Sequence, residues 1–124
     1  MKKLIAMAIV ASVALSACES RHNRNSNYIR IKDNENYLNF TANYPENKTA
    51  TAQQYIEKSF KEDRIFKSVS DVKKVEIRLS DGTQFYLNYE PGYLSIDFER
   101  DKNSFTSYNR MKRMIAGFGN ALKD

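Results

Sequence analysis

Three stretches of this chain alternate apolar and polar residues without a break: Lys74-Val75-Glu76-Ile77-Arg78-Leu79, Gln84-Phe85-Tyr86-Leu87-Asn88-Tyr89 and Leu94-Ser95-Ile96-Asp97-Phe98. A period of two sends every second side chain to the same side of a β-strand, so each stretch reads as a strand with one apolar face. Parity then restricts how they join, because a one-residue slip turns the whole apolar set over. A two-residue Asp81-Gly82 loop would oppose Leu79 to Gln84 and put the apolar sets on opposite faces. The three-residue loop Ser80-Asp81-Gly82, a type I turn with Gly82 in the left-handed position, opposes Ile77 to Phe85 and Val75 to Leu87 instead. Around Pro91-Gly92, matching Tyr89 with Leu94 also matches Leu87 with Ile96 and Phe85 with Phe98. Proline cannot take the positive φ of a primed two-residue turn, so a four-residue connection from Glu90 to Tyr93 is expected in that register. The product is a meander with one apolar face.

The remaining elements supply more sheet and a cover for it. Tyr28-Ile29-Arg30-Ile31 and Tyr37-Leu38-Asn39-Phe40 also alternate, and Asp33-Asn34-Glu35-Asn36 between them is turn chemistry. A hairpin with Ile31 opposite Leu38 and Ile29 opposite Phe40 turns both pairs the same way. Pro45 and Glu46-Asn47-Lys48 end the second strand. A helix is predicted from about Thr51 to Glu62, since Thr51 and Gln54 have capping-box spacing. Ala52, Tyr55, Ile56, Ser59 and Phe60 would form its buried face. Residues 63–72 fit neither period and read as an irregular, partly buried crossover. A second helix is predicted from about Ser104 to Gly117 or beyond, with Phe105, Tyr108, Met111, Ile115, Phe118 and Leu122 as its stripe. Gly117 or Gly119 could end it. One-faced strands with two amphipathic helices predict an α+β, two-layer domain: an antiparallel sheet with both helices on one face, in the order ββαβββα. The spatial order of the strands is left open.

The N-terminus has a different character. Met1-Lys2-Lys3 precedes an apolar run from Leu4 to Leu15, with small residues after it, which is the anatomy of a secretory signal. The run is too short to span a bilayer, which takes about 20 apolar residues. Leu15-Ser16-Ala17-Cys18 resembles the lipobox of bacterial lipoproteins. The resemblance covers residues 1–18 only. It implies cleavage between Ala17 and Cys18, a diacylglyceryl group on the Cys18 thiol, and an N-acyl chain of the palmitate type on the new amino group. An ordinary secretory signal would be cut at the same bond and leave a free thiol. Two or three acyl chains would hold the protein on a membrane, each buried methylene adding about 0.8 kcal/mol. Glu19 follows the cysteine. In enteric-type bacteria aspartate there resembles an inner-membrane retention signal, so glutamate favours the outer membrane, facing the periplasm.

The predicted organisation is thus a signal peptide over 1–17, a lipidated Cys18 with a tether to residue 27, and a single α+β domain over 28–124. Glu19 to Asn27 contains no apolar residue, and as a flexible coil it spans roughly 15–18 Å. The formal charge of the full chain is +5, from 20 Lys and Arg against 15 Asp and Glu. Losing Lys2 and Lys3 with the leader leaves 18 against 15, a net +3. That is ordinary solubility chemistry and makes no case for nucleic acid.

The inventory of reactive groups argues against catalysis. His22 is the only histidine and lies in the tether, so no histidine triad or multi-histidine metal centre can form. No glycine-rich phosphate loop occurs, and no cofactor is expected apart from the covalent lipid. Asp97 and Glu99 lie two apart on one strand face and could in principle do glycosidase-like acid–base work. The expected register, however, sets Asp97 opposite Tyr86 and Glu99 opposite Gln84 on an open, solvated face. Binding is the better class. Tyr86 and Tyr93 offer contact area with a polar tip, and Arg78 and Asp97 share the polar sheet face with Tyr86. Arg110, Lys112 and Arg113 form a second candidate surface, suited to an anionic glycan or headgroup. A plain solvated surface would give either pattern. The chain reads as a membrane-anchored envelope lipoprotein that binds another protein, as an assembly factor, inhibitor or immunity-type protein. Peptidoglycan or lipopolysaccharide is the alternative partner.

Overall fold

The computed structural model describes residues 28–62 and 64–123. The leader, Cys18 and the tether lie outside the described residues. Five strands and two helices follow one another as β1 (Tyr28–Asp33), β2 (Tyr37–Asn43), α1 (Thr49–Ser59), β3 (Lys73–Arg78), β4 (Gln84–Glu90), β5 (Tyr93–Glu99) and α2 (Phe105–Ala121). The order ββαβββα is the one the periodicities predict. In space the sheet runs β1-β2-β5-β4-β3, every neighbouring pair antiparallel. The first hairpin is therefore stitched to the meander through β2 and β5. The crossover after α1 carries the chain to the opposite edge of the sheet.

Both helices cover one face. Leu38, Phe40, Ala42, Phe85, Leu87, Tyr89, Leu94, Ile96 and Phe98 point into that layer and are buried. Phe118 of α2 meets Phe40 edge-on at 5.1 Å, while Phe60, just past α1, lies 5.9 Å from Phe85. Truncating an aromatic so enclosed typically costs about 3–5 kcal/mol.

The meander forms in the expected register, with Ile77 opposite Phe85, Val75 opposite Leu87, and Leu87 opposite Ile96. Gly82 has φ +93, and its amide donates to Leu79 O at 3.0 Å, closing the type I turn with its bulge. Four expectations are corrected. Glu90 pairs with Tyr93, so Pro91-Gly92 is a two-residue loop. Pro91 followed by Gly92 at φ +79 matches a type II turn, which asks positive φ only of its second central residue. In the first hairpin Asp33, not Ile31, opposes Leu38, and Ile31 opposes Phe40. The strand runs further because Asn34 makes the turn itself, its Oδ1 accepting from the amides of Asn36 and Tyr37. The two-residue shift preserves parity, so the apolar face survives.

Third, α1 starts at Thr49 after a 3-10 turn over Glu46–Lys48, and no capping box forms at Thr51. Thr49 instead donates its hydroxyl to Glu46 O at 2.7 Å and accepts from the Gly92 amide at 2.9 Å, tying the helix start to the β4–β5 turn. The helix stops at Ser59, and Lys61 takes φ +56. Fourth, Phe105 is 73% exposed and does not join the α2 stripe; Met114 does. Ser104 caps α2 by accepting from the Ser107 amide, and the helix runs through both glycines to Ala121. Gly117 has a packing reason. A Cβ there would lie 2.5 Å from Tyr55 Oη, which donates to Met114 O at 2.8 Å across the helix–helix contact.

The crossover packs through polar side chains rather than by period. Glu57 Oε2 accepts from the amides of Ile65 and Phe66, Gln53 donates to Ser68 O, and Tyr89 Oη donates to Asp71 while accepting from the Lys67 amide. Ile65 is buried, and Phe66 stands edge-on to Tyr89 at 4.9 Å.

Candidate functional site

Because both helices sit on the apolar face, no element among the described residues covers the other face of the sheet. Its residues are the alternate members of each strand, and the registers line them up in rows across all five strands. The central row reads Lys32, Asn39, Asp97, Tyr86, Glu76. The next reads Arg30, Thr41, Ser95, Asn88, Lys74. At the end of the sheet where Tyr28 enters, Tyr28, Asn43, Tyr93 and Glu90 stand side by side.

Tyr86 holds the middle of this face and is 45% exposed, flanked by Asp97 on one side and Glu76 on the other. With its amide turned so that the nitrogen faces Asp97, Asn39 donates to Asp97 Oδ1 at 3.1 Å. Arg78 pairs with Glu76 at 3.3 Å along the same strand, and Lys102 pairs with Glu99 at 3.1 Å. Its hydrogen bond with Glu99 pushes the Lys102 amine above its ordinary value. A shallow depression open to solvent lies here, lined by Glu76, Gln84, Tyr86, Asp97, Glu99 and Lys102. Four residues named from the sequence, Tyr86, Tyr93, Arg78 and Asp97, thus share one face. Tyr93 stands two rows from Tyr86, beside Glu90 and half-buried. The β4–β5 ladder stops at Tyr86 and Asp97, so Glu99 does not pair with Gln84 as the register had suggested. The Asn103 side chain takes that place, donating to Gln84 O and Glu99 O and accepting from the Gln84 amide at 2.8 Å.

The second candidate surface is dispersed. Arg110 reaches Asp81 Oδ2 at 2.9 Å and fastens α2 to the β3–β4 turn. Burial acts to raise the Asp81 carboxyl, but hydrogen bonds from Thr83 and the charge of Arg110 outweigh it and hold it below its ordinary value. Lys112 turns to Asp33 at 3.4 Å, and Arg113 is exposed with no partner among the described residues. Arg110 and Lys112 are therefore already occupied, each by an acid from a sheet turn or strand end.

Sequence reasoning missed one polar cluster. Tyr108 Oη donates to the Asp33 carboxylate at 2.8 Å, and Arg100 lies 3.9 Å above the Tyr108 ring while donating to Asn34 O at 2.7 Å. The group clamps the first hairpin to the start of α2. Its members are far apart in the chain, and only the β2–β5 pairing brings them together.

Among the described residues no group of His, Cys, Asp and Glu could hold a metal ion, and no helix is long and apolar enough to cross a membrane. Buried phenols are present at Tyr44 and Tyr89, both pushed upward by burial, and Tyr89 is bound to Asp71. Both point into the packed layer rather than the open face. Comparison of the chain with protein-family models, with curated proteins and with solved structures finds no match.

Proposed function

We propose that this protein is a lipid-anchored lipoprotein of the bacterial envelope that acts by binding rather than catalysis, its open sheet face receiving a protein partner. An assembly factor, an inhibitor or an immunity-type protein would work this way. The observation that carries the reading is the one-sided sheet. Both helices lie on the apolar face, and a half-exposed tyrosine stands at the centre of a polar face that no other element among the described residues covers. Tyrosine supplies a large contact area for little lost side-chain freedom, and truncating such an anchor typically costs about 2 kcal/mol or more. The address rests on the leader and on Leu15-Ser16-Ala17-Cys18. Acylation at Cys18 would keep the domain at the membrane, and Glu19 favours the periplasmic face of the outer membrane.

Two measurements test this. Mass spectrometry of the native protein should find a chain beginning at Cys18 and carrying diacylglyceryl and N-acyl groups; an unmodified Cys18 or a retained leader removes the envelope address. Crosslinking from native membranes should recover a discrete protein complex that withstands detergent and high salt. Tyr86→Ala should weaken that complex by roughly 30-fold, which is the same 2 kcal/mol expressed as affinity. Salt-sensitive co-sedimentation with purified peptidoglycan or lipopolysaccharide, with no protein complex, would replace the protein partner by a glycan.

A further inference from the structure

The sheet order leaves two edges, β1 and β3. An unpaired edge offers a row of free backbone donors and acceptors, and whether two copies can use it depends on which side chains they bring face to face. On β3 the hydrogen-bonding parity is fixed by the Leu79 amide, which donates to Thr83 O at 2.8 Å. Leu79, Ile77 and Val75 therefore turn their backbone groups toward β4, and Lys74, Glu76 and Arg78 turn theirs outward. Those three amides have no partner among the described residues. The next outward amide, that of Ser80, is already taken by Glu62 Oε2 at 3.2 Å.

We infer that β3 is a self-association edge, two copies pairing this strand antiparallel with Val75 at the two-fold axis. In that register Lys74 of each copy faces Glu76 of the other, so opposite charges meet on the open face. These are the residues whose backbone groups point outward, so each such pair exchanges both its N–H···O bonds. Val75, 37% exposed on the other face, meets its own copy in the close, non-hydrogen-bonded position. Val72, 65% exposed, stands next to the start of the strand. Other registers fit less well. Centring on Glu76 sets Glu76 against itself and Lys74 against Arg78. Centring on Ile77 also opposes unlike charges, Glu76 against Arg78, but brings Lys74 against Ser80, whose amide is occupied by Glu62. Pairing β1 with itself about Arg30 or Ile31 sets Arg30 against its own copy or against Lys32.

The contact is smaller than a standard protein interface, so the association is weak in dilute solution. Confinement to a membrane raises the effective concentration. The two-fold axis of such a pair runs perpendicular to the sheet. If both copies are anchored in one leaflet, which rests on the proposed lipidation, that axis lies along the membrane normal. The two open faces then form one continuous surface parallel to the bilayer. The pairing itself does not require the lipid.

Cysteine crosslinking of the full chain in its native membranes tests the edge. Under mild oxidation Val75→Cys should give a disulfide-linked dimer and Ile77→Cys should not, since Ile77 lies opposite Lys73 rather than its own copy. In the Val75→Cys background, Glu76→Lys should cut the dimer yield about tenfold by opposing two cations, and adding Lys74→Glu should restore it. Far-UV circular dichroism checks that each variant folds. The unsubstituted chain, treated identically, reports any dimer made through Cys18, which bears on the anchor and not on the edge. A dimer at position 77 rather than 75, at neither position, or one that the charge swap fails to restore in folded protein overturns the inference.

Discussion

Substituting Gly117 by alanine sets two magnitudes against each other in the contact between α1 and α2. Alanine is favoured over glycine in a helix interior by about 1 kcal/mol, and Gly117 lies within α2. The added Cβ would fall 2.5 Å from Tyr55 Oη, however, and 3.5 Å from the ring carbon that bears it. Only the hydroxyl is in the way. To make room Tyr55 must give up its bond to Met114 O, a net loss of about 1 kcal/mol, and the overpacked contact adds about 1–3 kcal/mol. Gly117→Ala alone should therefore destabilise the fold by about 1–3 kcal/mol. Tyr55→Phe alone should cost about 1 kcal/mol. In that background Gly117→Ala should become stabilising by about 1 kcal/mol, because its Cβ then meets only the ring. The cycle predicts a coupling of at least about 2 kcal/mol. Equilibrium urea unfolding followed by far-UV circular dichroism measures each corner, and a change of 1 kcal/mol should move Tm by roughly 4–8 °C. Equal stabilisation by Gly117→Ala in both backgrounds would refute the steric account.

The two positive-φ glycines should respond differently to alanine. At Gly82 a Cβ meets nothing within 4 Å, so Gly82→Ala should cost only the left-handed backbone penalty of about 1–2 kcal/mol. At Gly92 the Cβ would lie 2.9 Å from Tyr44 O, and a loss clearly larger than that at Gly82 is expected in the same unfolding assay. Asp81 should contribute to the acid limb of stability. Its folded value lies below its unfolded one, so its contribution is present above the usual carboxylate range and is lost as pH falls through the folded value. Stability measured below about pH 4 should fall more steeply in the native chain than in Asp81→Asn. Equal acid limbs would mean that Arg110 and Thr83 do not act on this carboxyl.

Sequence alone determined the elements, their order and the meander's register, because β parity is local: once Ser80-Asp81-Gly82 is read as the turn, the placement of Ile77 against Phe85 follows. It also showed which side chains would line the open face, since alternation assigns Tyr86, Arg78 and Asp97 to one side of their strands without knowledge of the neighbours. Tertiary structure alone decided that β2 joins β5, which sets Asn39 beside Asp97 and completes the rows around Tyr86. No periodicity encodes that choice, because either edge of the meander presents the same kind of ladder. The same long-range pairing gathers Asp33, Arg100 and Tyr108 into a clamp, while the way α2 lies on the sheet draws Arg110 to Asp81 and leaves Phe105 outside the core despite its helical spacing. Spacing within an element reports which way a side chain points. Only the packing of distant elements decides what it meets there.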